Sequence, residues 1–280
     1  VFLWVGLLCT QGLSDDKPAA SPVFTNSLGQ PFVKVGGTDT LFCIWETRVQ
    51  DYQQFVGETK RKWDKSGFTT SSRHPAAKVS WEDATMFCHW LTQREQKSGI
   101  LPEGWKYRLP KSAEWSLAVG IKPEDSQTVS FQTPAELKAF PWNGEWPPPM
   151  NSGNYHPELA IDAYKNTSPV ATFPANRYGI YDMGGNLWEW CSDPWKNSID
   201  YRVLRGASWR MRSAGDLLSA LEIGNISHTK LSTYGFRVVI ERPAETQAPI
   251  AKTPQVSETQ VDPLPVKLRE ALERSANGGR

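Results

Sequence analysis

The chain has 280 residues, enough for one large domain or two small ones, and 31 basic and 30 acidic residues leave a formal net charge of +1. With no long single-sign run, this balance excludes an electrostatic nucleic-acid binder. The 13 Trp, 21 Gly and 21 Pro point to a loop-rich fold with aromatic anchors and away from a helical bundle.

The apolar run Val1-Phe2-Leu3-Trp4-Val5-Gly6-Leu7-Leu8-Cys9 is followed by polar Ser14-Asp15-Asp16-Lys17. It is too short to span a bilayer and reads as an export signal, with Thr10 and Gly12 as small residues for cleavage. That reading places the protein outside the cytoplasm, secreted or periplasmic. No other stretch is apolar and long enough to cross a membrane. Residues 1–20 are then signal and linker, residues 21–242 one continuous domain, and residues 243–280 a tail.

Within the domain, Phe32-Val33-Lys34-Val35 alternates like a strand. A helix is predicted to begin at Thr47, with Gln50 completing a capping box and Val49, Tyr52, Phe55 and Val56 at helical spacing. A second begins at Ser80 with Asp83 in its box, and Ala84, Phe87, Cys88 and Leu91 form its apolar stripe. A third follows Pro110 and carries Ala113, Leu117 and Ala118. Residues 140–232 show little periodicity and many Gly, Asn, Pro and Trp, which predicts loops. The β-branched run Phe236-Arg237-Val238-Val239-Ile240 predicts a closing strand. From Pro243 the composition is that of a solvated linker, with a short amphipathic segment over residues 264–276.

Three cysteines follow the signal: Cys43, Cys88 and Cys191. Their spacing gives no metal pattern, and an odd count leaves at least one thiol without an intramolecular partner. The sequence leaves open whether any two are bridged. Cys88, on the apolar helix face, reads as a small buried hydrophobe.

A set of short strings then appears in order along the domain. It runs through Trp45-Glu46-Thr47, Pro75-Ala76-Ala77-Lys78-Val79-Ser80-Trp81-Glu82-Asp83-Ala84 and Tyr107-Arg108-Leu109-Pro110-Lys111-Ser112-Ala113-Glu114-Trp115. It continues through Phe140-Pro141-Trp142, Gly153-Asn154-Tyr155 and the long run Asn176-Arg177-Tyr178-Gly179-Ile180-Tyr181-Asp182-Met183-Gly184-Gly185-Asn186-Leu187-Trp188-Glu189-Trp190. Arg205-Gly206-Ala207-Ser208-Trp209 and Gly235-Phe236-Arg237 close it. This ordered set resembles the formylglycine-generating-enzyme, or sulfatase-modifying factor, family. The resemblance implies an α+β single domain, an elaborated C-type-lectin-like fold with little regular secondary structure.

Calcium takes roughly six to eight hard oxygen ligands. By resemblance, one structural calcium would be held by the Asp182 and Glu189 side chains with the Gly185 and Leu187 carbonyls. A second would be held by the Asn154 and Asp162 side chains with the Tyr155 and Tyr164 carbonyls. The family's enzyme oxidises a substrate cysteine with Cu(I) bound by two thiolates, soft ligands for a soft ion. At the matching offsets after Gly206-Ala207-Ser208-Trp209 this chain has Met211 and Asp216, and no cysteine follows Cys191. A two-thiolate copper site is therefore excluded, and formylglycine synthesis with it. The four histidines His74, His89, His156 and His228 show no helical metal spacing, which excludes the iron site of the superfamily's sulfoxide synthases. No phosphate loop or nucleophile elbow is present.

Two readings follow. In the first, the protein is a non-catalytic module that binds a peptide, glycan or protein in the former catalytic groove, lined by Trp209, Arg210, Met211, Arg212, Ser213 and Asp216. In the second, it is an oxidoreductase of the same superfamily with altered metal chemistry, recognisable by redox-metal binding or oxygen use.

Overall fold

The computed structural model describes residues 21–65, 67, 71–121 and 139–243. The expected export signal and the segment over 264–276 lie outside them.

The predicted strand at Phe32 forms. Among the described residues, β1 (Phe24–Thr25), β2 (Pro31–Lys34), β3 (Leu41–Cys43), β4 (Lys106–Arg108) and β9 (Val239–Glu241) make an antiparallel sheet in the order β1-β2-β3-β9-β4. A second sheet contains β5 (Trp188–Pro194), β6 (Tyr201–Arg205), β7 (Ile223–Ile226) and β8 (Tyr234–Gly235) in the order β7-β6-β5-β8, with β5 and β8 parallel. Residues 188–226, expected to be loop, thus contain three paired strands. Gly224 and Asn225 interrupt β7, and β5 and β6 are apolar or charged on successive residues and lack the alternation that a sequence reading depends on.

The closing strand is also not one strand. Tyr234–Gly235 pairs in the second sheet and Val239–Glu241 in the first, and Phe236-Arg237-Val238 carries the chain between them. Arg237 is the cause, since its fully buried guanidinium is turned to a carboxylate on β5.

Among the described residues, three α-helices pack with these sheets. The capping box predicted at Thr47 gives way to one a residue later. α1 spans Val49–Thr59, and the Asp51 carboxylate accepts from the Arg48 backbone N–H at 3.0 Å and pairs with its guanidinium. Thr47 is used otherwise: its N–H donates to the Phe236 carbonyl and its own carbonyl accepts from Ala76 N–H. α2 (Trp81–Lys97) starts as predicted, with Ser80 Oγ accepting from Asp83 N–H at 3.2 Å. Ala84, Phe87, Cys88 and Leu91 are all buried.

α3 (Ser112–Val119) presents a different face from the one expected. Ala113 is exposed and Leu117 half-buried, while Ser112, Trp115, Ser116 and Ala118 face inward. The large Trp115 ring sets the rotation of this short helix, and its indole N–H finds a buried partner in Glu189 at 2.9 Å. Phe55, Phe87 and Phe236 form the aromatic centre between α1, α2 and the first sheet, with ring centroids 5.6 and 5.3 Å apart.

Cys43, Cys88 and Cys191 are buried and unbridged. Burial pushes the Cys43 thiol up to about 12 and raises the other two as well. A thiolate is the reactive form. All three should therefore resist maleimide in the native protein and react once it is unfolded in guanidinium. Peptide mapping reads each site separately, and native labelling of any of the three would contradict this packing.

Candidate functional site

The segment from Asp182 to Glu189 threads the middle of the domain. Gly185 has φ +82°, and a Cβ there would lie 2.2 Å from the Asn154 carbonyl and 2.8 Å from the Tyr155 ring. The Gly pair is thus required by the close approach of the 154–155 backbone and ring. Asp182 and Asn186 also take left-handed φ, at +55° and +54°.

Glu189, at the start of β5, is 1% exposed. Its Oε2 accepts from Arg237 Nε at 2.7 Å and from Trp115 Nε1 at 2.9 Å, and its Oε1 from Arg237 Nη2 at 2.6 Å. Arg237 Nη2 also donates to the carbonyls of Tyr181 and Asp182 at 3.0 and 3.3 Å. A guanidinium therefore occupies both oxygens of the Glu189 carboxylate, while the carbonyls it takes are those of Tyr181 and Asp182 and not the Gly185 and Leu187 carbonyls expected as ligands. The ligand set expected from Asp182, Gly185, Leu187 and Glu189 does not fit a calcium ion in this arrangement, because a dication would sit against Arg237. Behind it lies Glu46, fully buried, which accepts from Asn186 Nδ2 at 2.6 Å and Leu187 N–H at 3.1 Å. Burial, reinforced by Asp182 and Glu189, holds the Glu46 carboxyl well above the usual range.

The second set differs. Asp162 accepts backbone N–H bonds from Tyr155 at 3.1 Å and Tyr164 at 2.7 Å, which fixes the turn that carries both. Asn154 is 1% exposed and its Nδ2 donates to the Asn166 carbonyl and to Asn186 Oδ1. Its Oδ1 is buried with no hydrogen-bond partner among the described residues. An orphaned hard oxygen beside a carboxylate-built turn fits calcium, and Asn154 and Asp162 are the side chains that would hold it. Among the described residues no three His, Cys, Asp or Glu side chains converge as a metal cluster. Any such ion would depend on amide and carbonyl oxygens.

The segment after Ser208 is a surface turn. Ser208 is buried and its carbonyl accepts from Met211 N–H at 2.9 Å. Met211 packs its side chain against the core, and its carbonyl accepts from His156 N–H. Asp216 accepts from the Ser213 hydroxyl at 2.7 Å, Arg212 pairs with Glu158, and Arg210 lies over the Trp209 ring. A packed thioether and a hydroxyl-bonded carboxylate do not fit Cu(I). None of the six residues expected to line a groove borders either of the two cavities described next.

One cavity, of about 450 Å³, is lined by residues of α2 and β4, Trp81, Cys88 and Tyr107 among them. The other, of about 410 Å³, is lined by Trp142, Ser152, Phe173, Asn176, Asp182 and Met183, with further loop residues. Asp182 is 9% exposed, and its Oδ2 accepts from Ala171 N–H at 2.8 Å. Burial pushes its carboxyl up to about 6, from an ordinary 3.8. A raised folded value means that its contribution to stability is fully present below 3.8 and is lost as pH rises through about 6. Asp182→Asn should remove that slope, gaining roughly 2–3 kcal/mol over the parent by neutral pH. Urea unfolding across this range checks it, and parallel curves for the two proteins would refute it.

Of the residues that matter here, Asp182, Glu189, Asn154 and Asp162 were legible from motif position. Glu46, Asn186 and Arg237 were missed as site residues. Arg237 carried a signal, a lone charge inside an otherwise apolar strand, which demands a buried partner.

The model of the sulfatase-modifying factor enzyme 1-like domain matches residues 24–242. A Bos taurus protein named inactive C-alpha-formylglycine-generating enzyme 2 is 29% identical over 184 residues, covering 61% of this chain and 52% of the relative. A formylglycine-generating enzyme of Thermomonospora curvata is 30% identical over 153 residues, covering 54% of this chain and 43% of the relative. The chain thus spans about half the length of these curated relatives. Among solved structures, CarF superposes with a TM-score of 0.53 at 21% identity, over 77% of this chain and 99% of that one. PvdO from Pseudomonas aeruginosa gives 0.52 at 18%, over 80% and 90%. At these identities the superpositions establish the fold alone.

Proposed function

The chain belongs to the sulfatase-modifying factor enzyme 1-like family, and from that premise we propose that it is an exported, non-catalytic binding module stabilised by calcium. The observation that carries this reading is the pair Met211 and Asp216 at the positions where the family's copper thiolates fall. Neither supplies a thiolate, and the Cys43, Cys88 and Cys191 thiols are buried. The relatives include proteins named as enzymes and proteins named as inactive, so family membership alone does not decide activity. The apolar run over residues 1–9 supports export. The 209–216 face, with Arg210, Arg212 and Ser213 exposed and Trp209 half-buried, supports contact with a peptide, glycan or protein.

Calcium in this reading sits at Asn154 and Asp162 with the Tyr155 and Tyr164 carbonyls, and its role is to fix the 154–164 turn. Bound only by N, it would raise the stability by about 3 kcal/mol at a hundredfold excess over its Kd. Asn154→Leu should abolish a calcium-dependent rise in Tm.

Function is tested by oxygen uptake of the full chain with a cysteine-containing peptide, in one arm with Cu(I) and in another with Fe(II), while mass spectrometry follows the peptide. The expected result is no metal-dependent turnover. Conversion of the peptide in either arm would overturn the non-catalytic reading and favour an oxidoreductase with other ligands.

A further inference from the structure

We propose that the 410 Å³ cavity binds a primary ammonium group carried on an unbranched apolar stem, with the Asp182 carboxylate as counter-ion and Trp142 and Phe173 along the stem. This goes beyond the reading above, because the cavity shares no residue with the 209–216 face.

The volume lies in the range of small-molecule sites. Asp182 is more than nine-tenths buried, and only its Oδ2 has a donor, the Ala171 N–H. Its Oδ1 has no hydrogen-bond donor among the described residues. Ser152 Oγ, on the same cavity wall, is buried and likewise without a partner there. Asp182 Oδ1 is thus the acceptor left for an N–H donor, with the closed-off Ser152 hydroxyl behind the wall. The carboxylate is held in place, since its residue has φ +55° and its carbonyl accepts from Arg237.

The walls decide the class of cation. Trp142 stacks on Phe140 at 4.5 Å with the planes 6° apart, and Phe173 and Met183 are buried beside it. Aromatic faces favour an organic cation and offer no oxygen to calcium. A guanidinium needs two free carboxylate oxygens for its fork, and Asp182 has one. A compact ammonium needs only one. Asn176 cannot serve the ligand, because its Oδ1 accepts from Tyr178 and Ile180 N–H and its Nδ2 donates to the Ala118 carbonyl. Arg177, the cationic residue of the lining, is exposed and turned onto Tyr178, over its ring at 4.8 Å and bonded to its hydroxyl at 2.9 Å.

Such an ammonium occurs on free alkylamines and on lysine side chains. Calorimetric titration of the full chain in EGTA buffer with n-butylamine, N-acetyl-lysine methylamide and n-butanol separates the cases. Saturable binding of an amine at least about tenfold tighter than the alcohol is expected, with a similar loss in Asp182→Asn. Tighter binding of the lysine derivative assigns the site to a protein segment, and tighter binding of butylamine to a free amine. No saturable amine binding, equal binding of butanol, or unchanged affinity in Asp182→Asn would each overturn the assignment. If Asp182→Asn does not fold, Ser152→Ala and Trp142→Leu carry the test, and unchanged affinity in both is the adverse result. Calcium that competes with the amine and is itself lost in Asp182→Asn also overturns it, because Asp182 is then a metal ligand.

Discussion

Arg237→Met should destabilise the domain by about 3–5 kcal/mol, among the largest effects available to a single substitution here. Arg237 and Glu189 are 0% and 1% exposed, so neither charge has water to fall back on. Removing the guanidinium strands the Glu189 carboxylate beside Glu46 and Asp182, whose charges already disfavour one another. It also leaves the carbonyls of Tyr181, Asp182 and Cys43 without their donor. The pair variant Glu189→Gln with Arg237→Met removes the stranded charge and should recover part of the stability. Gln also keeps an acceptor for the Trp115 indole. Urea unfolding midpoints of the two singles and the double give the coupling. A cost below about 1 kcal/mol for Arg237→Met would show that the pair is not the central tie.

That pair also marks where sequence reasoning ends. The helices were legible because each buries a stripe of adjacent turns, and α2 begins at the predicted residue. α1 shifted by one turn position because the Arg48–Asp51 pair outcompetes Thr47 as a cap, a choice that depends on tertiary bonds to Phe236 and Ala76. Strands of two to five residues for the most part carry too little periodicity to be read, so the second sheet was hidden. In the site, motif position singled out Asp182 and Glu189 as side chains for a calcium ion. It could not say what neutralises them. Glu189 meets a guanidinium from a residue 48 positions away. Asp182 instead borders a cavity to which two other loops contribute Trp142 and Phe173. Both outcomes are set by long-range packing that no local pattern records.

Asn186→Ala should cost about 3–5 kcal/mol, and Asn186→Gly about 1–2 kcal/mol less, which would separate two parts of one residue's role. Asn186 is fully buried at φ +54°. Its Nδ2 donates to Glu46 at 2.6 Å, and its Oδ1 accepts from Ser168 N–H at 3.0 Å and Asn154 Nδ2 at 3.2 Å. Its backbone N–H donates to the Asn154 carbonyl, and its carbonyl accepts from Trp209 N–H, both at 2.9 Å. The side chain thus ties the 46, 154 and 168 segments together, and the backbone carbonyl of the same residue holds the start of the 209–216 face. Ala removes those bonds and adds the Cβ strain of a left-handed backbone, whereas Gly removes the bonds without the strain. Asn186→Asp keeps the acceptor and places a second carboxyl against Glu46, so its penalty should grow as pH rises and both groups tend to ionise. The same bond from Asn154 Nδ2 is what leaves Asn154 Oδ1 as the orphaned oxygen. Asn186→Gly should therefore also weaken any calcium-dependent gain in Tm, because it leaves the Asn154 amide held by its bond to the Asn166 carbonyl alone. Equal midpoints for the Ala and Gly variants would refute the backbone term. An undiminished calcium effect in the Gly variant would detach Asn154 from the ion.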